Sequence, residues 1–167
     1  MLTPELKDLD LLRKIRMVVM DIDGTLVDPE RDNFHNVLGY LWKLRRLGIG
    51  FTLATGRTYQ GALATARDLE TIRMKTRAMI IYNGAVVLSG GERTVMVRHA
   101  LEPSAAAAVI RRFRELSCVT LAYACDTGFD LTPHETVYTE GEGGPTQEFN
   151  GMPVVRVPDL TELKTEF

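Results

Sequence analysis

Met17-Val18-Val19-Met20-Asp21-Ile22-Asp23-Gly24-Thr25 is the stretch on which the fold turns. Four apolar residues run into two aspartates one residue apart, and a glycine and a threonine follow at once. Side chains alternate along an extended backbone, so Asp21 and Asp23 face the same way at the end of such a strand. The carboxyl end of a strand in an open α/β sheet borders the crevice where such sheets bind ligands. Two carboxylates there can divide nucleophilic attack and proton transfer between them, or hold a divalent cation together. The uninterrupted apolar run from Met17 to Met20 predicts a central parallel strand buried on both faces.

Downstream, strand and helix signals alternate. Phe34, Val37, Leu38, Leu41 and Leu44 recur at helical spacing, and Gly48 stands where a helix stop belongs. Ile49 to Ala54 reads as a second strand, and Tyr59, Ala62, Leu63, Ala66 and Leu69 mark a second amphipathic helix. Ala78 to Tyr82 is a third apolar strand closed by Asn83-Gly84, a strong turn signal. This order implies an α/β fold with a Rossmann-like parallel sheet and right-handed crossovers, occupying residues 1–88.

The character then changes. Ala85 to Leu88 and Thr94 to Arg98 flank Ser89-Gly90-Gly91-Glu92 as in a hairpin. Pro103 leads into a helix from Ala105 to Leu116 with Val109, Phe113 and Leu116 on one face. Val119 to Ala124 and Val154 to Val157 read as strands, while Asp126 to Gly151 dissolves into glycine, acid and proline. Asp159 to Lys164 barely starts a helix. Residues 89–167 thus read as a partial α+β module.

Composition narrows the function classes. The 167 residues are 45% hydrophobic and 25% charged with a net charge of -2, which suits a globular domain and argues against a nucleic-acid footprint. No apolar run reaches membrane-spanning length, and Met1 to Arg16 alternates charge with leucine, unlike a signal peptide, so a cytoplasmic protein is expected. Cys118 and Cys125 lack metal-ligand spacing and read as reduced thiols; His35, His99 and His134 stand isolated.

Asp21-Ile22-Asp23-Gly24-Thr25 resembles the first motif of the haloacid dehalogenase superfamily, largely phosphatases and phosphotransferases. Ala54-Thr55-Gly56-Arg57, closing the second strand, resembles its second motif. There a hydroxyl can donate to a phosphoryl oxygen, and the helix that follows offers backbone N–H groups and a favourable dipole. Asn83-Gly84-Ala85 matches the segment that characterises the Cof-like branch, class IIB, which carries its α/β cap after the third strand. Read as bare sequence, Thr55 could instead cap the helix, Arg57 could be a solvated first-turn residue, and Asn83-Gly84 a simple turn.

The resemblance implies a mechanism. Asp21 is the nucleophile that forms an aspartyl-phosphate, and Asp23 handles protons for the leaving group and the hydrolytic water. Mg²⁺ is held by Asp21 and Asp23 against the phosphoryl group, and Thr55, Gly56 and the backbone near Gly24 bind phosphate. Asn83, Gly84 and Arg57 lie towards the substrate, a small phosphorylated metabolite such as a sugar phosphate.

The superfamily also implies a screening lysine and a later Gly-Asp motif that completes the metal shell, yet no Gly-Asp pair occurs in the chain. Lys75 precedes the third strand, and Lys164 falls in a helical pattern within the second module. A truncated product, half of a split enzyme completed by another chain, and a compact relative are the three explanations, with truncation favoured. Weak or no turnover is expected from the chain alone, and an incomplete sheet invites pairing into a homo-oligomer. A phosphosugar mutase and a catalytically dead interaction module are the alternative functions.

Overall fold

The computed structural model describes residues 13–27, 37–71, 76–91, 93–129, 131–141, 144–145 and 148–167. Phe34, His35 and Lys75 lie outside them. Five strands form the first sheet in the order of the sequence: β1 (Met17–Met20), β2 (Gly50–Ala54), β3 (Ala78–Ile81), β4 (Val86–Ser89) and β5 (Val95–Arg98). β1 to β3 run parallel, and the hairpin β4–β5 adds two antiparallel strands. The first sheet therefore continues past residue 88, through the hairpin's second strand.

The crossovers carry α1 (Leu38–Arg46) and α2 (Tyr59–Thr71). Lys43, Arg45 and Arg46 fill the last turn of α1, where cations complement the helix dipole. The helix then stops in a Schellman motif: Gly48 N–H bonds Arg45 C=O at 3.0 Å, Ile49 N–H bonds Leu44 C=O at 3.0 Å, and Gly48 takes φ +68°. α2 buries Ala62, Leu63, Ala66 and Leu69, the expected face, and Ala62, Ala66 and Leu69 share one core with Phe51, Leu53, Met79, Ile81 and Leu88.

β2, not β1, is the strand buried on both faces: Gly50, Phe51, Thr52 and Leu53 are all buried. Among the described residues β1 has β2 as its one ladder partner, and its Met17 and Val19 are half exposed, at 51% and 50%. An apolar run signals burial but does not say on how many sides a strand is flanked.

The second sheet has the order β6 (Leu121–Thr127), β7 (Pro133–Glu140), β9 (Met152–Val157), β8 (Glu148–Phe149). β7 pairs antiparallel with β6 and parallel with β9, so a central strand occupies part of the region whose pattern dissolves in the sequence. The reason lies in its inward positions, Pro133, Glu135, Val137 and Thr139: two are polar, which erases the hydrophobic alternation without changing the geometry.

α3 (Pro103–Glu115) packs on this sheet through Ala106, Ala107 and Ile110. Val109, Phe113 and Leu116 instead remain 42–58% exposed. Ile110, Ala122 and Leu160 form a small second core, joined by Tyr138, Val157, Leu163 and Phe167. A short 3₁₀ turn, Leu160–Glu162, replaces the expected terminal helix, with Asp159 accepting from Thr161 N–H at 2.7 Å. Cys125 of β6 is buried in the main core, so the two sheets share packing.

Candidate active site

β1 ends where the first motif begins. Ile22 is fully buried while Asp21 and Asp23 on either side are exposed, the alternation that puts both carboxylates on one side of the chain. The backbone turns sharply after them: Leu26 and Val27 N–H both bond Ile22 C=O, at 3.0 and 2.8 Å. Gly24, at φ +73°, supplies the left-handed conformation this turn needs. Its N–H is committed to Val27 C=O at 3.0 Å, so Gly24 offers shape here and not a donor for phosphate.

The ends of three strands meet around one open cavity of about 570 Å³. Asp21 and Asp23 line it from β1, Thr55 and Gly56 from β2, and Asn83 and Gly84 from β3. Thr55 is buried, and its hydroxyl accepts from Arg57 N–H at 3.2 Å, tightening the loop before α2. The third-strand loop is locked to this one by backbone bonds: Tyr82 N–H to Arg57 C=O at 3.0 Å, and Asn83 N–H to Thr55 C=O at 3.2 Å. Tyr82 and Asn83 take φ +51° and +54°, a conformation costly for residues with a Cβ and concentrated at functional sites. A Cβ added to Gly56 would lie 2.7 Å from Asn83 Oδ1, so the glycine lets the Asn83 side chain close over the loop.

Arg57 neither lies idle in solvent nor points into an empty phosphate site. Its Nη2 and Nε donate to the two oxygens of Asp23 at 2.5 and 2.9 Å, and its Nη1 donates to Gly61 C=O at 3.1 Å. The two-point hydrogen bond to Arg57 holds the Asp23 carboxyl below the usual carboxylate range; burial opposes it, and the Arg57 charge adds a lesser lowering effect. Asp23 is therefore ionised and engaged in this state.

The N-terminus of α2 is also occupied. Glu135, on β7 of the second sheet, accepts from Tyr59 N–H at 2.5 Å and from Gln60 N–H at 2.8 Å. Gly61 N–H bonds the Thr58 hydroxyl at 3.1 Å, so Thr58, not Thr55, supplies the local side-chain cap. The free N–H groups expected there for phosphate are saturated from within the chain.

A second cavity of about 740 Å³ opens off the first, sharing Gly56 and Asn83 with it. Arg57, Gln60, Tyr82, Tyr123, Phe149 and Asn150 line it. Its aromatic wall is continuous: Tyr82 and Tyr123 meet edge-on with centroids 6.2 Å apart, and Tyr123 and Phe149 are 6.5 Å apart. Sequence reading missed Glu135, Tyr123, Phe149 and Asn150. The one available signal was an acid at an inward position of β7.

No group of three or more His, Cys, Asp or Glu side chains suited to a metal is found among the described residues. The donor set is nonetheless of the right chemistry for Mg²⁺, which takes one or two carboxylates together with water and phosphate oxygens.

Comparison with known proteins places these features in context. The family model described as haloacid dehalogenase-like hydrolase matches residues 18–151. A candidate phosphatase of Streptococcus pyogenes serotype M6 is 32% identical over 73 residues, covering 44% of this chain and 27% of that protein. A haloacid dehalogenase-like hydrolase from Bacteroides thetaiotaomicron superposes with a TM-score of 0.59 at 20% identity, covering 88% of this chain and 53% of that one. A structure described as a subclass IIB sugar phosphatase of the same superfamily gives 0.61 at 19% identity, over 90% of this chain and 56% of its own. At such identities the two structures show a shared fold. The chain spans about half the length of those solved structures.

Proposed function

The chain belongs to the haloacid dehalogenase-like hydrolases, and from that premise we propose that it carries the nucleophile-bearing part of a Cof-like, magnesium-dependent phosphatase for a small phosphorylated metabolite. The observation that carries this reading is the meeting of Asp21, Asp23, Thr55, Gly56 and Asn83 around one cavity at three strand ends.

Asp21, exposed on the cavity wall, attacks phosphorus and forms an aspartyl-phosphate. Thr55 donates its hydroxyl proton to a phosphoryl oxygen while its oxygen still accepts from Arg57 N–H. Asp23, ionised at rest, takes up a proton from solvent water as substrate binds, passes it to the leaving oxygen and then, a carboxylate again, takes a proton from the attacking water. For this its pair with Arg57 must open, and an incoming phosphate is the competing anion that draws the guanidinium away. Asp21 and Asp23 would hold Mg²⁺, whose charge, when bound, offsets the repulsion between carboxylate and phosphate. The second cavity receives the leaving group, and its aromatic wall with amides from Gln60, Asn83 and Asn150 suits a sugar-like ring.

Residues up to Arg98 act as catalytic core and those from Pro103 as cap. Among the described residues no lysine and no acid other than Asp21 and Asp23 lines the cavity, and the chain by itself turns over weakly or not at all; each electrostatic element of this kind is worth roughly 2.7–4 kcal/mol. The two free cysteines agree with a cytoplasmic setting.

The decisive experiment is binding of orthovanadate or beryllofluoride by the purified chain with and without Mg²⁺. Saturable, Mg²⁺-dependent binding that Asp21→Asn abolishes is expected. Binding that survives Asp21→Asn, or no binding at all, would remove the reading in favour of an inactive interaction module.

A further inference from the structure

The phosphatase reading leaves Glu135 without a role, yet among the described residues it is the one charged side chain that is buried, at 7% exposure. It sits on the second sheet, opposite Cys125 in the β6–β7 ladder, and all three of its assigned hydrogen bonds reach into the first sheet's territory. Two come from the first turn of α2. The third comes from Tyr82 Oη at 2.5 Å.

These bonds close a ring. From Glu135 the path runs through Tyr82 Oη to the Tyr82 backbone, whose N–H bonds Arg57 C=O at 3.0 Å. Two residues on from Arg57, Tyr59 N–H returns to Glu135. The Thr55–Arg57 loop and the Tyr82–Gly84 loop, both of which line the catalytic cavity, are thus gripped by one carboxylate from the opposite sheet. What it grips is under strain: Tyr82 and Asn83 are consecutive residues at positive φ. Such a conformation persists when its surroundings over-determine it.

We propose that Glu135 is a positioning residue that couples the second sheet to the catalytic cavity, holding the Tyr82–Asn83–Gly84 turn so that Asn83 stays against Gly56 at the cavity wall. Its charge suits the task, since an anion at a helix N-terminus gains from the dipole as well as from the two N–H donors. Burial first, then the hydrogen bond to Glu135 and after it the Glu135 charge, push the Tyr82 phenol far above its usual range, so it remains a neutral donor. The cap is then not merely a lid that shapes the leaving-group chamber. It also sets the geometry at the phosphoryl end.

The clamp is a matter of geometry; its consequence for ligand binding rests on the phosphatase reading, and the test separates the two. Amide hydrogen exchange is measured by NMR on the 167-residue chain as wild type, Glu135→Gln and Tyr82→Phe. The first variant keeps shape while losing charge and acceptor capacity; the second removes one hydroxyl. Exchange at the Tyr82 and Asn83 amides is expected to accelerate at least ten-fold in both, with the β6 amides changing less than two-fold. Unchanged exchange at Asn83 in a folded variant would overturn the proposal, as would equal acceleration at every slow amide, the mark of a purely structural residue. If Glu135→Gln does not fold, Tyr82→Phe decides by the same two outcomes. Orthovanadate binding with Mg²⁺ is recorded in parallel. Failure of the wild type to bind counts against the phosphatase reading and leaves the exchange result standing. Where the wild type binds, Tyr82→Phe is expected to weaken vanadate at least five-fold, and unchanged affinity would refute the coupling.

Discussion

The Arg57–Asp23 pair makes the most direct demand on experiment. Replacing Arg57 by alanine removes both hydrogen bonds, at 2.5 and 2.9 Å, and the one nearby cation that Asp23 is seen to engage. The pair is partly open to solvent, with side chains 31% and 56% exposed, so its worth is that of a surface ion pair. Its two-point geometry places it in the upper half of the measured range, about 0.5–1 kcal/mol after solvent screening. The sign follows from linkage. Arg57 depresses the Asp23 pKa in the folded chain, so the pair's contribution is present above the unfolded carboxylate's pKa and is lost as pH falls through the lower, folded value. Carboxyl-carbon NMR of Asp23 across an acid titration, without Mg²⁺, reads this directly. The wild-type midpoint should lie below that of an ordinary aspartate, move up towards it in Arg57→Ala, and move partway in high salt, which screens exposed charges. Urea unfolding of the two proteins should differ near neutral pH and converge in strong acid. An Asp23 midpoint that Arg57→Ala leaves in place would refute the argument, and with it the idea that phosphate must release Asp23 before it can act as an acid.

Two further outcomes are expected. Gly90→Ala should destabilise the chain by at least about 2 kcal/mol in denaturant titration, an overpacking cost, because its new Cβ would lie 1.8 Å from Thr76 carbonyl oxygen and 2.6 Å from backbone carbons that cannot swing aside. Alkaline titration followed by tyrosinate absorbance should show Tyr82 silent until the chain unfolds. Its raised pKa means that stability is intact below the ordinary tyrosine value of about 10 and falls above it, and Tyr82→Phe should flatten that decline.

Much of the site can be read from the sequence because strand ends in an α/β sheet converge by construction. Asp21, Asp23, Thr55 and Asn83 each close a strand, and a parallel order brings those ends to one rim. What cannot be read is what reaches that rim from elsewhere. Arg57 meets Asp23 across 34 sequence positions, and Glu135 meets Gln60 across 75; neither pairing has a local signature. The same limit explains β7, a central strand with polar residues at inward positions. Its burial is set by neighbours on both sides and not by its own hydrophobicity. β1 errs in the opposite direction, with apolar side chains at a flank where half of their surface is open.

The burial of Cys125 has a use in kinetics. Burial above all, reinforced by the charge of Glu135, pushes its thiol up to about 11, whereas Cys118 is exposed. A thiol reagent at neutral pH meets one cysteine at once and the other only when β6 lifts from the main core. The slow phase of labelling therefore times the parting of the two sheets, falling about ten-fold for every 1.4 kcal/mol that holds them together. The chain carries, in an unremarkable buried cysteine, its own clock for the separation of its two sheets.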